Sequence, residues 1–188
     1  MKKLTMILVS VFAFSVAASA AQSKKNQYAK ANVKEFEGTL NFGYSTTSVS
    51  GVSADVLALS MNPAMHYFLS DGFHLGLGLP IGYSSVSASG TSVTTTSLGV
   101  QGIGGYTIEV SPDLFLDLRA LVGYGSLSGS SITTTSGINF GAGPILKFDT
   151  GNGLLNAGII TSYALNSTGG VSSKTLSTVF SVGYSIYY

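Results

Sequence analysis

The 188-residue chain has no cysteine. That excludes a disulfide framework, a thiol nucleophile and an N-terminal lipidated Cys. Charge is nearly as scarce, at 9% Asp, Glu, Lys and Arg, against about 25% in ordinary globular proteins. A formal net charge of +1 leaves no basic surface for nucleic acid. After the first 20 residues no run is long or apolar enough for a membrane-spanning helix. Hydrophobic residues nevertheless make up 45% of the chain and mean hydropathy is +0.39. The apolar residues are diluted by Gly, Ser and Thr, as expected where alternate residues face lipid and a polar lumen.

The one continuous apolar run opens the chain. Lys2 and Lys3, the stretch Leu4 to Val16 and the small residues Ala18-Ser19-Ala20 read as a cleaved secretory signal peptide over 1–20. Its removal takes the formal charge from +1 to about −1. Residues 21–34, AQSKKNQYAKANVK, are polar and lysine-rich and read as a flexible leader. Residues 35–188 remain for the folded domain.

From Glu35 onward the period is two. Phe73, Leu75, Leu77, Leu79, Ile81 and Tyr83 alternate with His74, Gly76, Gly78, Pro80, Gly82 and Ser84, the pattern of a strand with one apolar face. Eight such segments occur, and two aromatic rows mark them. Tyr44, Tyr83, Tyr124 and Tyr163 lie 39, 41 and 39 residues apart, and Tyr67, Tyr106, Phe148 and Tyr188 lie 39, 42 and 40 apart. A unit of about 40 residues with an aromatic near each end is a hairpin, and repetition of this kind counts the architecture. Four hairpins predict an all-β, eight-stranded antiparallel up-and-down barrel whose aromatic rows meet the two membrane interfaces.

The connections alternate in character. Ser70-Asp71-Gly72, Ser111-Pro112-Asp113 and Thr150-Gly151-Asn152-Gly153 are tight turns. They set Leu69 opposite Phe73 and Val110 opposite Leu114, all on the apolar face, so turn length and period agree. The other four connections, around 46–53, 85–94, 126–135 and 166–173, are longer and carry no acidic or basic residue. Short turns on the periplasmic side and long loops outside put both chain ends in the periplasm. The first row of tyrosines then becomes the outer girdle and the second aromatic row the inner one. Pro63, Pro80 and Pro144 fall within expected strands and predict bulges there, or an interruption of the second strand.

At this point the chain resembles the small outer-membrane barrels of Gram-negative bacteria, the OmpA-type and OmpX-type domains, over residues 35–188. The residues that carry the resemblance are the terminal strand Phe180 to Tyr188 with its final aromatic and the hairpin phrase Pro63 to Gly72. It implies residence in the outer membrane, contact with membrane lipids and lipopolysaccharide, and recognition of Phe180 to Tyr188 by the barrel-assembly machinery. No peptidoglycan-binding domain follows the strands.

Candidate chemistry is confined to one end of the lumen. Glu37, His66, His74, Glu109, Asp117, Arg119 and Lys147 all fall on inward positions of the periplasmic half. An eight-stranded barrel is just wide enough for side chains to fill, so the plain expectation is a paired structural network, and the sharper one a gate on a narrow conduit. His66 and His74 flank one turn but have no third ligand, so no metal site is expected. Enzymes that remodel lipid A on this scaffold need a base near the outer rim. Here both histidines lie at the opposite end and Asp55 is the only outer acid, so no catalytic residue and no cofactor is expected. Gly76-Leu77-Gly78 and Gly102-Ile103-Gly104-Gly105 lack the following helix of a phosphate loop. The repeated segments 92–97 (SVTTTS) and 131–136 (SITTTS) are either hydroxyl-bearing contacts for a surface ligand or plain strand extensions. The alternative outside this class, a secreted lipocalin-like barrel, would hide its leucines inside and carry charge outside.

Overall fold

The computed structural model describes residues 28–49, 52–88, 91–129, 132–168 and 171–188. The expected signal peptide, residues 21–27 and the tips of the four longer connections lie outside the described residues. Nine strands follow in order: β1 (Lys34–Val49), β2 (Val52–Phe68), β3 (Phe73–Gly78), β4 (Ile81–Ala88), β5 (Thr91–Ser111), β6 (Leu114–Gly129), β7 (Ile132–Asp149), β8 (Leu154–Thr168) and β9 (Val171–Tyr187). β3 and β4 are two halves of one pass, since β2 and β5 each pair with both. The passes are therefore eight, all neighbours are antiparallel, and β1 bonds both β2 and β9 to close the ring.

Alternation decides which side of the wall each residue meets. Outward Leu77 and Phe180 are 73% and 53% exposed, whereas inward His66 and Phe68 are 0% exposed. Closure satisfies the backbone between neighbours, which strands in lipid require because hydrocarbon offers no hydrogen-bond partner. The seam between the chain ends is the exception. β1 and β9 pair over Glu35–Phe42 with Phe180–Tyr187, and Lys34 and Tyr188 add a reciprocal pair of bonds of 3.0 and 2.9 Å. Among the described residues the ladder between them goes no further, and every residue from Ser172 to Thr178 is exposed on either face.

The prolines act differently from the bulges expected of them. Pro63 stays inside a continuous β2, opposite Gly38 of β1. The break falls in the third pass, at Leu79-Pro80, and the β2 register is the same on β3 and β4. Leu79 N donates to Pro63 O at 2.9 Å and Gly99 N to Pro80 O at 2.9 Å, so the carbonyls are still used. Around Pro144 the β7–β8 ladder pauses between Ala142↔Thr161 and Ile145↔Gly158 and resumes in the same register. A missing N–H removes a rung without inserting a residue. The register shifts occur elsewhere, between Glu109 and Ser111 and between Leu127 and Gly129. The first alters the second tight turn. Ser111, not Val110, pairs with Leu114, which leaves Pro112-Asp113 as the connection.

Two turns depend on glycine. Gly72 has φ +80°, and a Cβ there would come within 2.7 Å of Thr107 O, the edge of the next hairpin. Gly151 has φ +83° and its N–H bonds Asp149 Oδ1 at 2.7 Å. The apolar core is a small cluster at the end of the barrel that holds the chain termini and the tight turns, made by Tyr28, Ala29, Phe68, Phe115, Leu154 and Tyr187.

Candidate functional site: a buried charge network and its plug

The wall brings the charged positions of four strands to one level. Arg119 on β6 holds Glu37 on β1 through two parallel bonds of 2.6 Å, and its Nε donates to Asp117 Oδ2 at 2.7 Å. Lys147 on β7 bonds Glu35 Oε1 at 2.6 Å and lies 3.3 Å from Asp117 Oδ2 and 3.5 Å from Glu37 Oε2. His74 Nε2 meets Asp117 Oδ1 at 2.9 Å. Asn156 Nδ2 donates to Glu37 Oε2 at 3.3 Å and to Ser185 Oγ at 3.2 Å. Glu35, Glu37, Asp117, Lys147, His66 and His74 are all 0% exposed, and Arg119 is 7% exposed. Charges this deep persist only when each is paired and hydrogen-bonded, and the planar fork of arginine suits the bidentate contact.

Six of the seven charged positions singled out from the sequence, Glu37, His66, His74, Asp117, Arg119 and Lys147, share this buried region. Glu109 does not. It is exposed beside the β5–β6 bulge, where the extra residue re-aims the strand and the carboxylate keeps its water. Glu35 joins in its place, and the period-two rule that put Glu37 inside applies equally to its neighbour two residues earlier. The histidines touch edge to face with ring centroids 5.0 Å apart. Neither ring nitrogen of His66 has a partner among the described residues, and no group of three or more His, Cys, Asp or Glu there is arranged to hold a metal ion. Glycine makes room for the rings, since a Cβ on Gly76 would stand 2.6 Å from His66 Nδ1.

Beneath the network sits a residue the sequence does not announce. Tyr28, in the polar leader, is 3% exposed. Its ring packs edge-on against Phe68 and Phe115 with centroids 5.4 and 4.9 Å away, and tilted against Tyr187 at 5.2 Å. Its hydroxyl donates to Glu35 Oε2 at 2.9 Å and accepts from Lys147 Nζ at 2.6 Å. Burial, and then the adjacent Glu35 carboxylate, push this phenol well above its usual range, so it remains a donor. The residues after it are tied across the mouth. Gly72 N bonds Ala29 O at 2.7 Å, Asn32 N bonds Phe68 O at 2.8 Å, and Tyr67 OH donates to Asn32 Oδ1 at 2.7 Å. Asp71 accepts from Ala31 N at 3.0 Å and pairs with Lys30 at 3.3 Å. Those two contacts, the backbone N–H first, lower the Asp71 carboxyl below the ordinary range. The leader expected to be loose over 21–34 is therefore docked from Tyr28 to Val33.

The aromatic rows face outward. Tyr83, Tyr124 and Tyr163 are exposed at one level and Tyr67, Tyr106, Phe148 and Tyr188 at the other. The Tyr44 backbone pairs with Leu57, while its side chain and that of Asp55 lie outside the described residues. In the strand extensions at the end opposite the chain termini, hydroxyls bond one another. Ser84 meets Thr95 at 2.6 Å, Ser85 meets Ser92 at 3.1 Å and Thr135 meets Thr168 at 2.5 Å.

A closed antiparallel ring, apolar outside between two aromatic rows and charged within, is a transmembrane β-barrel. No family model matches the sequence, and no curated protein does. Among solved structures the chain is similar to the outer membrane protein OprG from Pseudomonas aeruginosa, with TM-score 0.57 and 12% identity over 85% of this chain and 97% of that one. It is similar also to the Neisserial surface protein A, with TM-score 0.56 and 15% identity over 82% of this chain and 96% of that one. At such identities the likeness is one of fold: the chain has the fold of the small eight-stranded outer-membrane barrels.

Proposed function

We propose that this is an integral outer-membrane protein with a structural or surface-interaction role, no catalysis, and a lumen closed by its own side chains. The observation that carries the reading is the buried network of Glu35, Glu37, Asp117, Arg119 and Lys147 with Tyr28 seated beneath it. Such a stack occupies the cross-section of a barrel already narrow enough for side chains to fill. Both chain ends face the periplasm, the tight turns lie with them, and the long connections face outward. The partners are membrane lipids and lipopolysaccharide on the apolar band and the assembly machinery at Phe180 to Tyr188. The paired hydroxyls of the outer extensions support their reading as strand extensions more than as ligand contacts.

The second reading, a narrow gated conduit, shares the same residues, because Arg119 leaving Glu37 would open a path. Planar-bilayer recording separates the two. The closed reading expects no unitary conductance from the native chain, and reproducible conductance abolished or altered by Arg119→Ala would overturn it. Fractionation with outer membranes, heat-modifiable migration and lipid-modification assays on the same sample test location and the absence of catalysis.

A further inference from the structure

The charge network divides the lumen, and what lies on its outer side differs in kind from what lies within it. A cavity of about 210 Å³ rests on Arg119 and Glu37. The charges of those two are paired with each other through two parallel bonds, so the floor offers no unpaired charge. Around it stand four carboxamides, Asn41, Asn62, Gln101 and Asn139, interleaved with apolar side chains that include Ile103 and Val179. One of these carboxamides is unfinished. Asn62 is 9% exposed and its Oδ1 has no hydrogen-bond partner among the described residues. Asn62 and Gln101 both line the cavity, and glycine at position 78 is what admits their amides against the wall, for a Cβ there would come within 2.8 Å of that oxygen and 3.0 Å of Gln101 Nε2.

An unpaired buried acceptor is costly, and its cost is relieved by a donor brought from outside. The lining selects the donor. Carboxamides both donate and accept, and the interleaved apolar strips suit C–H faces. An ion would leave its water for a wall without a counter-charge. The volume exceeds the roughly 150 Å³ that accommodates a bare six-membered ring. From these features we infer that the outer lumen is a dead-end well that binds a small, uncharged, hydroxylated ring of about monosaccharide size, with one hydroxyl donating to Asn62 Oδ1. The inference rests on the closed floor of the proposed function and turns that lumen from filler into a binding site.

The probe is methyl glucoside, titrated into the native chain in lipid nanodiscs and followed by NMR through the side-chain amide resonances of Asn62 and Gln101. The expected result is a saturable shift at these groups, with no such shift from sodium acetate or ammonium chloride. Asn62→Leu removes the orphaned acceptor and should fold at least as well as the native chain. It should weaken binding about tenfold or more, the size of one lost buried hydrogen bond. Ser60→Phe, at another lining position, should exclude the probe by volume. Heat-modifiable migration establishes that each variant is folded, and either folded variant suffices. A linear shift, an equal shift with acetate, or native affinity in a folded variant overturns the proposal. Conductance through a barrel that still shows the expected binding pattern would remove the closed-lumen reading and leave the site standing.

Discussion

Replacing Tyr28 tests whether the leader is a built part of the barrel. Tyr28→Ala removes a ring held by Phe68, Phe115 and Tyr187 and a hydroxyl placed between Lys147 and Glu35. Truncating a buried aromatic costs about 3–5 kcal/mol, and hydrogen bonds to charged groups contribute about 1.5–3 kcal/mol. The polar part is not lost in full, because Lys147 and Glu35 stay bonded to each other at 2.6 Å. The whole loss is also bounded, since residues 28–33 can undock as a unit while the ring of strands stays closed. A 3 kcal/mol loss of docking energy raises the undocked population roughly a hundredfold. Trypsin cleavage after Lys30 should therefore accelerate by about that factor in Tyr28→Ala, while the urea midpoint of the barrel in lipid vesicles moves little. Tyr28→Phe keeps the ring and loses only the hydroxyl, so its acceleration should be intermediate, about tenfold. Cleavage of Tyr28→Ala at the native rate would refute the docking argument.

Three further outcomes follow from the same contacts. Arg119→Met strands Glu37 and Asp117 without their forked partner and should destabilise the barrel by about 3–5 kcal/mol in urea. The double variant Arg119→Met, Glu37→Leu should recover part of that loss, and equal stability of the two would count against the pairing. Gly76→Ala puts a Cβ 2.8 Å from Met65 O and against His66, and should cost about 1–3 kcal/mol by overpacking; a neutral result would mean the wall yields there. For Asp71 the folded pKa is depressed, so its contact stabilises docking above the ordinary carboxylate value of about 3.9 and is lost as pH falls below it. The Ala31 amide resonance should titrate with a midpoint below about 3.9, and a midpoint at or above that value would exclude the bond.

The alternation from Phe36 to Tyr188, the spacing of the two aromatic rows and the chemistry of the three tight turns were enough to read eight passes. Each residue's side of the wall is chosen locally, by whether it meets hydrocarbon or lumen, so a period of two carries it. Glu37, Asp117, Arg119 and Lys147 were found by the same parity, and Glu35 was within its reach. Parity failed at Glu109 because a bulge is a mismatch between two strands and has no mark in either one alone. The prolines show the same limit. Pro63 and Pro80 lie in neighbouring passes, and only the register between them reveals that Leu79 can donate to Pro63 and Gly99 to Pro80 while the ladder resumes unshifted. Tyr28 belongs to no periodic segment. Its seat is built by Phe68, Phe115 and Tyr187 together with Glu35 and Lys147, residues far apart in sequence that meet only because the ring closes. The strand pattern and the membrane-facing surface were thus legible in the amino acids, since lipid and water act on residues one at a time. The pairing of the charges, the plug below them and the amide-lined well above them came from closure, which alone sets partners from separate strands at bonding distance.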